Sequence, residues 1–408
     1  MELQAENIKM EKRKNSLIIS ILITLTVVFL NSLGPYLKME QVTTFLLIPL
    51  LGVITFFKNF KEEKNVSFEL IVLFSIIAIS LFSIYYYVNF ESLTRNFSII
   101  IGAFICAFIP ISLNRNSYYE NYFHYGFIIS IIILVIIMYI NGNLDFTNFA
   151  SNAGRRDRFL LNANFYSYIS YFANISLFYL YLKNKSRLLL LALIVLPVLF
   201  IIVSFTTQSR SGILFILFIN VTFWLVINQN NYRGLKGKFK IIFISIALIL
   251  LSFQFVNIYS NSQVKNRVSN TVVDSREVLV EEAINVFFDN PILGVGLGQF
   301  PYYNSYGLFS HNSYTEIMSE HGIIGLILLL TLFLKPFIES LKNLKNDISN
   351  PVLKLNVLFF FTFLLYNNAY VFYKATYAMM YFFLVISIQN NISQKENKLK
   401  PLKNVNKE

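Results

Sequence analysis

Apolar runs long enough to cross a bilayer, about 17 to 25 residues each, recur along nearly the whole chain and are separated by mostly short polar connections. The pattern predicts twelve spans, centred on Leu17 to Leu30, Val42 to Phe57, Leu70 to Val88, Phe97 to Leu113, Tyr122 to Ile140, Phe165 to Leu182, Leu188 to Phe205, Ile213 to Ile227, Ile241 to Val256, Gly322 to Leu334, Val357 to Val371 and Ala375 to Ile388. Asn367 and Asn368 interrupt one long apolar tract and separate the last two. Two connections break the rhythm of short loops, residues 141–163 and 257–321. Long connections are uncommon unless functional, so the chemistry is expected there.

Composition agrees with the pattern. Of 408 residues, 55% are hydrophobic and 14% charged, with a mean hydropathy of +0.56. A soluble globular chain carries about 25% charged residues, which excludes an ordinary soluble enzyme. The expected fold is an all-α polytopic membrane protein, one integral membrane domain over residues 1–408 with a long outer loop at 257–321 and a basic tail at 389–408. The lone Cys106 excludes a disulfide framework and a thiolate metal site. The first span lacks a small-residue cleavage site and reads as a retained helix.

The net charge of +12 reports orientation. With the N-terminus cytoplasmic, 24 of the 34 basic residues fall in inside segments and 10 in outside ones, which satisfies the positive-inside rule with both termini in the cytoplasm. The basic tail therefore needs no nucleic acid partner; membrane lipid is the expected contact.

The ten outside cations are few enough for their placement to matter. Arg210 lies in a tight turn, Thr206-Thr207-Gln208-Ser209-Arg210-Ser211-Gly212. It can snorkel to headgroups, or join Ser209 and Ser211 as donors to a phosphate. Arg276 opens a helix-like stretch to Phe288, either to pair with Glu277 or Glu281 or to meet a ligand. Gly294, Gly296 and Gly298 follow an Asn-Pro turn and allow a close backbone approach to a ligand, without the lysine of a P-loop. Ser313 and Glu316 have capping-box spacing, so a helix is expected from Ser313 with His311 just before it. His124 falls on the cytoplasmic side, leaving His311 as the candidate general base and His321 as an interfacial residue. No outside carboxylate cluster resembles a metal site, so a metal-independent, cofactor-free reaction is expected. The spans carry no ionisable residue well inside, which favours outer-face chemistry over a transporter such as a lipid-linked oligosaccharide flippase.

Taken in order, Thr-x-x-Ser-Arg-Ser-Gly beginning a span, Arg276 ahead of Asn-Pro-x-x-Gly-x-Gly-x-Gly-x-Phe, then His311-Asn312-Ser313-Tyr314 and Glu-x-Gly-x-x-Gly resemble the O-antigen ligase and polymerase family over about Thr206 to Leu330. Arg158 with Asn162-Ala163-Asn164 is similar to that family's Arg-x-x-Gly and Asn-Pro-Asn, with alanine in place of proline and the glycine missing. The resemblance implies a many-helix glycosyltransferase of the bacterial cytoplasmic membrane, working on its outer face with a glycan on undecaprenyl pyrophosphate as donor. Arg210 and Arg276 would hold the pyrophosphate and stabilise the leaving group, and His311 would take the proton of an acceptor hydroxyl, the three converging on one cavity. Arg158, Asn164, Ser209, Ser211, Gly294, Gly296, Asn312 and Tyr314 would bind substrate. The expected reaction is polymerisation of O-antigen or capsule, with ligation to lipid A-core as the alternative and a chain-length regulator as possible partner.

Overall fold

The computed structural model describes residues 16–60, 66–113, 118–144, 159, 161–227 and 275–405. Helices dominate them, and no strand occurs among the described residues. In chain order they are α1 (Ser16–Tyr36), α2 (Glu40–Lys58), α3 (Phe68–Tyr85), α4 (Phe90–Leu113), α5 (Glu120–Ile140), α6 (Ala163–Asn184), α7 (Arg187–Thr206), α8 (Arg210–Ile227), α9 (Ser275–Asp289), α10 (Ser313–Asn346), α11 (Pro351–Tyr366) and α12 (Thr376–Val405). Among the described residues eight of these, α1 to α5, α7, α8 and α10, are long and apolar enough to cross a membrane, and α11 is apolar but shorter. The protein is a polytopic α-helical membrane protein. The expected span at Ile241 to Val256, the start of the long loop at 257–274, and Arg158 lie outside the described residues.

The chain packs as two compact units. One comprises Met1–Gly126, Val273–Asn346 and Phe363–Glu408, the other Phe127–Val272 and Asp347–Thr362. In the first, the start of α12 is surrounded on every side: Ala375 and the run from Tyr377 to Gln389 are buried, with α4 its main neighbour. In the second, α6 has that place: Tyr166 to Leu182 are all buried, against α7 and α8. A helix apolar all round belongs in an interior, but α6 also carries buried Ser167, Ser170, Asn174 and Ser176. Ser170 resolves its hydroxyl by donating to the Tyr166 carbonyl at 2.8 Å. Cys106 is wholly buried in α4, as a small apolar side chain would be.

One expectation is corrected here. Starting the tenth span at Gly322 left it without ionisable groups, whereas α10 begins at Ser313 and carries buried Glu316, Glu320 and His321 in its first turns. Glu69, buried at the start of α3, likewise pairs with Lys335 of α10 at 2.5 Å. The carboxylates are admitted because lysines meet them, as a buried charge requires.

Candidate functional site

In the second unit the Arg210 turn is a Schellman stop followed at once by a capped start. The Ser209 amide donates to the Ser204 carbonyl at 2.9 Å and the Gln208 amide to Phe205 at 2.8 Å, with Gln208 in the left-handed position at φ +52° that glycine ordinarily takes. Ser209 then caps α8, its hydroxyl accepting from the Gly212 amide at 3.3 Å. Arg210 is therefore the first residue of α8, half-buried like Ser211 beside it. Gly212 lets the turn sit on α6, since a Cβ there would lie 2.5 Å from that of Ser167, and the Ser167 and Thr207 hydroxyls bond at 3.2 Å. Ser167 lies one turn after Asn164, whose amide donates to the capping Asn162 side chain at 3.0 Å. The structure thus brings the Asn164 end of α6 to the Arg210 turn.

Arg276 and His311 belong to the first unit. Arg276 is the second residue of α9. That helix is held by Leu279, Ala283 and Val286, which pack on Val295 and Phe300 with Leu308 alongside.

The glycine-rich turn makes its close approach to α10. That helix breaks at Gly322 (φ +61°, ψ −155°), which strips nearby backbone groups of helical partners. The turn replaces them: Val295 donates to the Ser319 carbonyl at 2.8 Å, Gly296 to Glu320 at 2.9 Å, and Ile323 donates to Pro291 at 2.8 Å. Leu297 donates to the Ser83 hydroxyl at 2.9 Å and Gly298 to Glu320 Oε1 at 2.8 Å. Every amide from Gly294 to Gly298 is engaged within the protein. His321, expected at the interface, is buried here with Nε2 2.6 Å from the Ser80 hydroxyl.

His311 sits at φ +59°, a conformation costly for a histidine, with its ring 4.0 Å from that of Phe309. The helix after it starts at Ser313 as its spacing predicts, but Asn312 is the cap, its side chain accepting from Tyr314 at 2.9 Å and Thr315 at 3.4 Å. Ser313 instead donates to Asn367 Oδ1 at 2.6 Å and accepts from Phe372 at 3.0 Å, and the Tyr314 hydroxyl donates to the Leu364 carbonyl at 2.8 Å. Glu316 reaches back to accept from the Ser310 amide at 2.7 Å, clamping the residue before His311.

Sequence reasoning missed what holds Glu316. Lys374 Nζ lies 3.3 Å from Glu316 Oε1 and 2.6 Å from Glu320 Oε1, and the Tyr373 hydroxyl donates to Glu320 Oε2 at 3.2 Å. Burial pulls the Lys374 ammonium down, but Glu320 and Glu316 together outweigh it and hold it above its ordinary value. Burial, then Glu320 and Glu316, push the Tyr373 phenol well up. The only signal available in sequence was Lys374 as one of few outside cations, 58 positions from Glu316. Among the described residues no group of His, Cys, Asp and Glu is placed to hold a metal ion.

Residues 195–330 match the model of the O-antigen ligase family. The matched segment runs from α7 through the Arg210 turn, α9, the glycine-rich turn and the His311 turn into α10, and it supports an O-antigen ligase or polymerase-like family and a role of that type in polysaccharide synthesis. A comparison with curated proteins finds none that matches the chain.

Proposed function

We propose that the protein polymerises a surface polysaccharide, O-antigen or capsule, by transferring the growing glycan from undecaprenyl pyrophosphate to a lipid-linked repeat unit on the outer face of the cytoplasmic membrane. The observation that carries this reading is positional. Within one family-matched segment, Arg210 and Arg276 are the first and second residues of α8 and α9, and His311 stands just before α10. A helix start gathers unpaired amides and the positive end of the dipole, which favours bound anions; a guanidinium beside it adds bidentate contact to phosphate oxygens.

In the reaction, an acceptor hydroxyl oxygen attacks the anomeric carbon of the donor glycan and the bond from that carbon to the pyrophosphate oxygen breaks. His311 takes the hydroxyl proton, and Arg210 and Arg276 stabilise the charge left on the pyrophosphate. The donor is already activated, so neither nucleotide nor metal is needed. The matched family's description as O-antigen ligase favours one second reading, the same step with lipid A-core as acceptor.

The test is transfer by the purified protein in lipid, with lipid-linked repeat units and EDTA, read as glycan length. Wild type yields a ladder; with a core acceptor a single addition would mark the ligase. His311→Ala lowers turnover by about 10²- to 10⁴-fold and leaves donor binding largely intact. Arg210→Ala and Arg276→Ala weaken donor binding as well, and lysine at either position rescues only in part. A wild-type rate in His311→Ala, or activity lost in EDTA and restored by magnesium, overturns the assignment.

A further inference from the structure

A cavity of about 590 Å³ lies in the first unit among the start of α4, the turn at 298–302 and the turn at 370–374, a size typical of small-molecule sites, roughly 300 to 1,000 Å³. Its charges cancel: Arg95 and Lys374 face Glu91 and Glu316, with Glu320 buried beyond Lys374. A pyrophosphate here would meet two carboxylates at close range, a like-charge contact that disfavours it. Several wall groups are unspent among the described residues. Asn89 and Asn96 use only Oδ1 and Nδ2 respectively, leaving one amide donor and one amide acceptor turned to no partner, while Arg95 and Glu91 form no ion pair. The remaining walls are aromatic, Tyr302, Phe309 and Tyr370, with Phe309 and Tyr370 edge to face at 6.1 Å. Mixed donors and acceptors of zero net charge beside aromatic faces match a neutral pyranoside, whose hydroxyls need both partner types and whose C–H faces lie on rings. Phe309 is the wall that links the cavity to the His311 turn, its ring 4.0 Å from the histidine ring.

We propose that this cavity is the acceptor-glycan subsite, binding a neutral sugar of the repeat unit through Asn89, Glu91, Arg95 and Asn96 against Phe309 and Tyr370. The proposal deepens the glycan-transfer reading and rests on it, and the donor pyrophosphate binds elsewhere.

The test uses the full-length protein in detergent and exploits the burial of its single native cysteine, which leaves a silent background. Ser92→Cys and, as a second reporter, Ile99→Cys place a thiol in the cavity wall; Tyr306→Cys places one on an exposed loop outside it. Each is labelled with a charged maleimide, alone, with the lipid-free repeat-unit oligosaccharide, or with inorganic pyrophosphate. The expected result is that the oligosaccharide slows both cavity reporters by about ten-fold or more, a protection that needs only binding in excess of its Kd, while Tyr306→Cys is unchanged and pyrophosphate has no effect. Arg95→Ala raises the KM for acceptor about ten-fold at unchanged donor binding, the loss of one charge-assisted hydrogen bond. Protection by pyrophosphate instead of sugar overturns the subsite. Absence of any protection in a protein that transfers glycan also overturns it and leaves the reaction standing. Protection by sugar in a protein that transfers nothing upholds the subsite and removes the reaction.

Discussion

At the scale of single residues, Lys374 is where structure adds most to sequence. Its ammonium meets two carboxylates at 3.3 and 2.6 Å with 12% of its side chain exposed, and one of those carboxylates fixes the amide preceding His311. Lys374→Met leaves Glu316 and Glu320 buried without a counter-charge, so it costs about 3 to 5 kcal/mol of stability, read as a lowered thermal midpoint in detergent. Since the carboxylates hold the ammonium above its ordinary value of 10.5, the contribution is complete below that pH and fades only as pH rises through the higher folded-state value. A midpoint falling steeply between pH 8 and 10 in wild type but flat in Lys374→Met would contradict this. The helix start just after His311 was legible by contrast, because its signal is local: the Ser313 and Glu316 spacing lies within one turn. Lys374 was not, because its partners sit far away in sequence and come together only when the turn after α11 folds onto α10 through Ser313 and Asn367.

The same division between local and distant runs through the elements. The start of α10 at Ser313, the helix from Ser275 and the break at Asn367 and Asn368 follow from caps and patterns within a few residues. The partner of the glycine-rich turn does not: three alternating glycines announce a close approach without saying to what, and the answer is the broken turn of α10. Non-helical backbone is tolerated in a span only where protein satisfies it, so Gly294 and Gly322 are needed for contact as well as for φ. Their values, +66° and +61°, resemble the +63° of Gly307, yet a Cβ at Gly294 would collide with the backbone of Glu320 and His321, and one at Gly322 with that of Ile292, whereas at Gly307 nothing lies within 4 Å. Gly307→Ala therefore carries only the left-handed penalty of about 1 to 2 kcal/mol, and Gly294→Ala and Gly322→Ala exceed it clearly. Equal midpoints for the three variants would show that the turn does not brace α10.

At the scale of the whole molecule, each unit places its candidate residues at a helix end poor in basic residues. In the second, α7 carries Lys183, Lys185 and Arg187 at or just before its start and Arg210 just after its end; its 20 residues cover about 30 Å at 1.5 Å per residue, the thickness of a bilayer core. In the first, α10 has His311 before its start and Lys335, Lys342 and Lys345 toward its other end. If cytoplasmic loops collect the lysines and arginines, the Arg210 turn and the His311 turn must both face outward, an inference that holds for each unit separately. It is the requirement a donor displayed on the outer leaflet imposes. Single-cysteine labelling in spheroplasts with an impermeant maleimide measures it, Ser211→Cys against Asn184→Cys in one unit and Tyr306→Cys against Lys342→Cys in the other. Ser211→Cys and Tyr306→Cys label at once, Asn184→Cys and Lys342→Cys only after the membrane is opened. Should the two members of either pair label from the same side, the span between them is not a crossing; should the pattern invert, the candidate residues face the cytoplasm and an outer-leaflet donor is excluded.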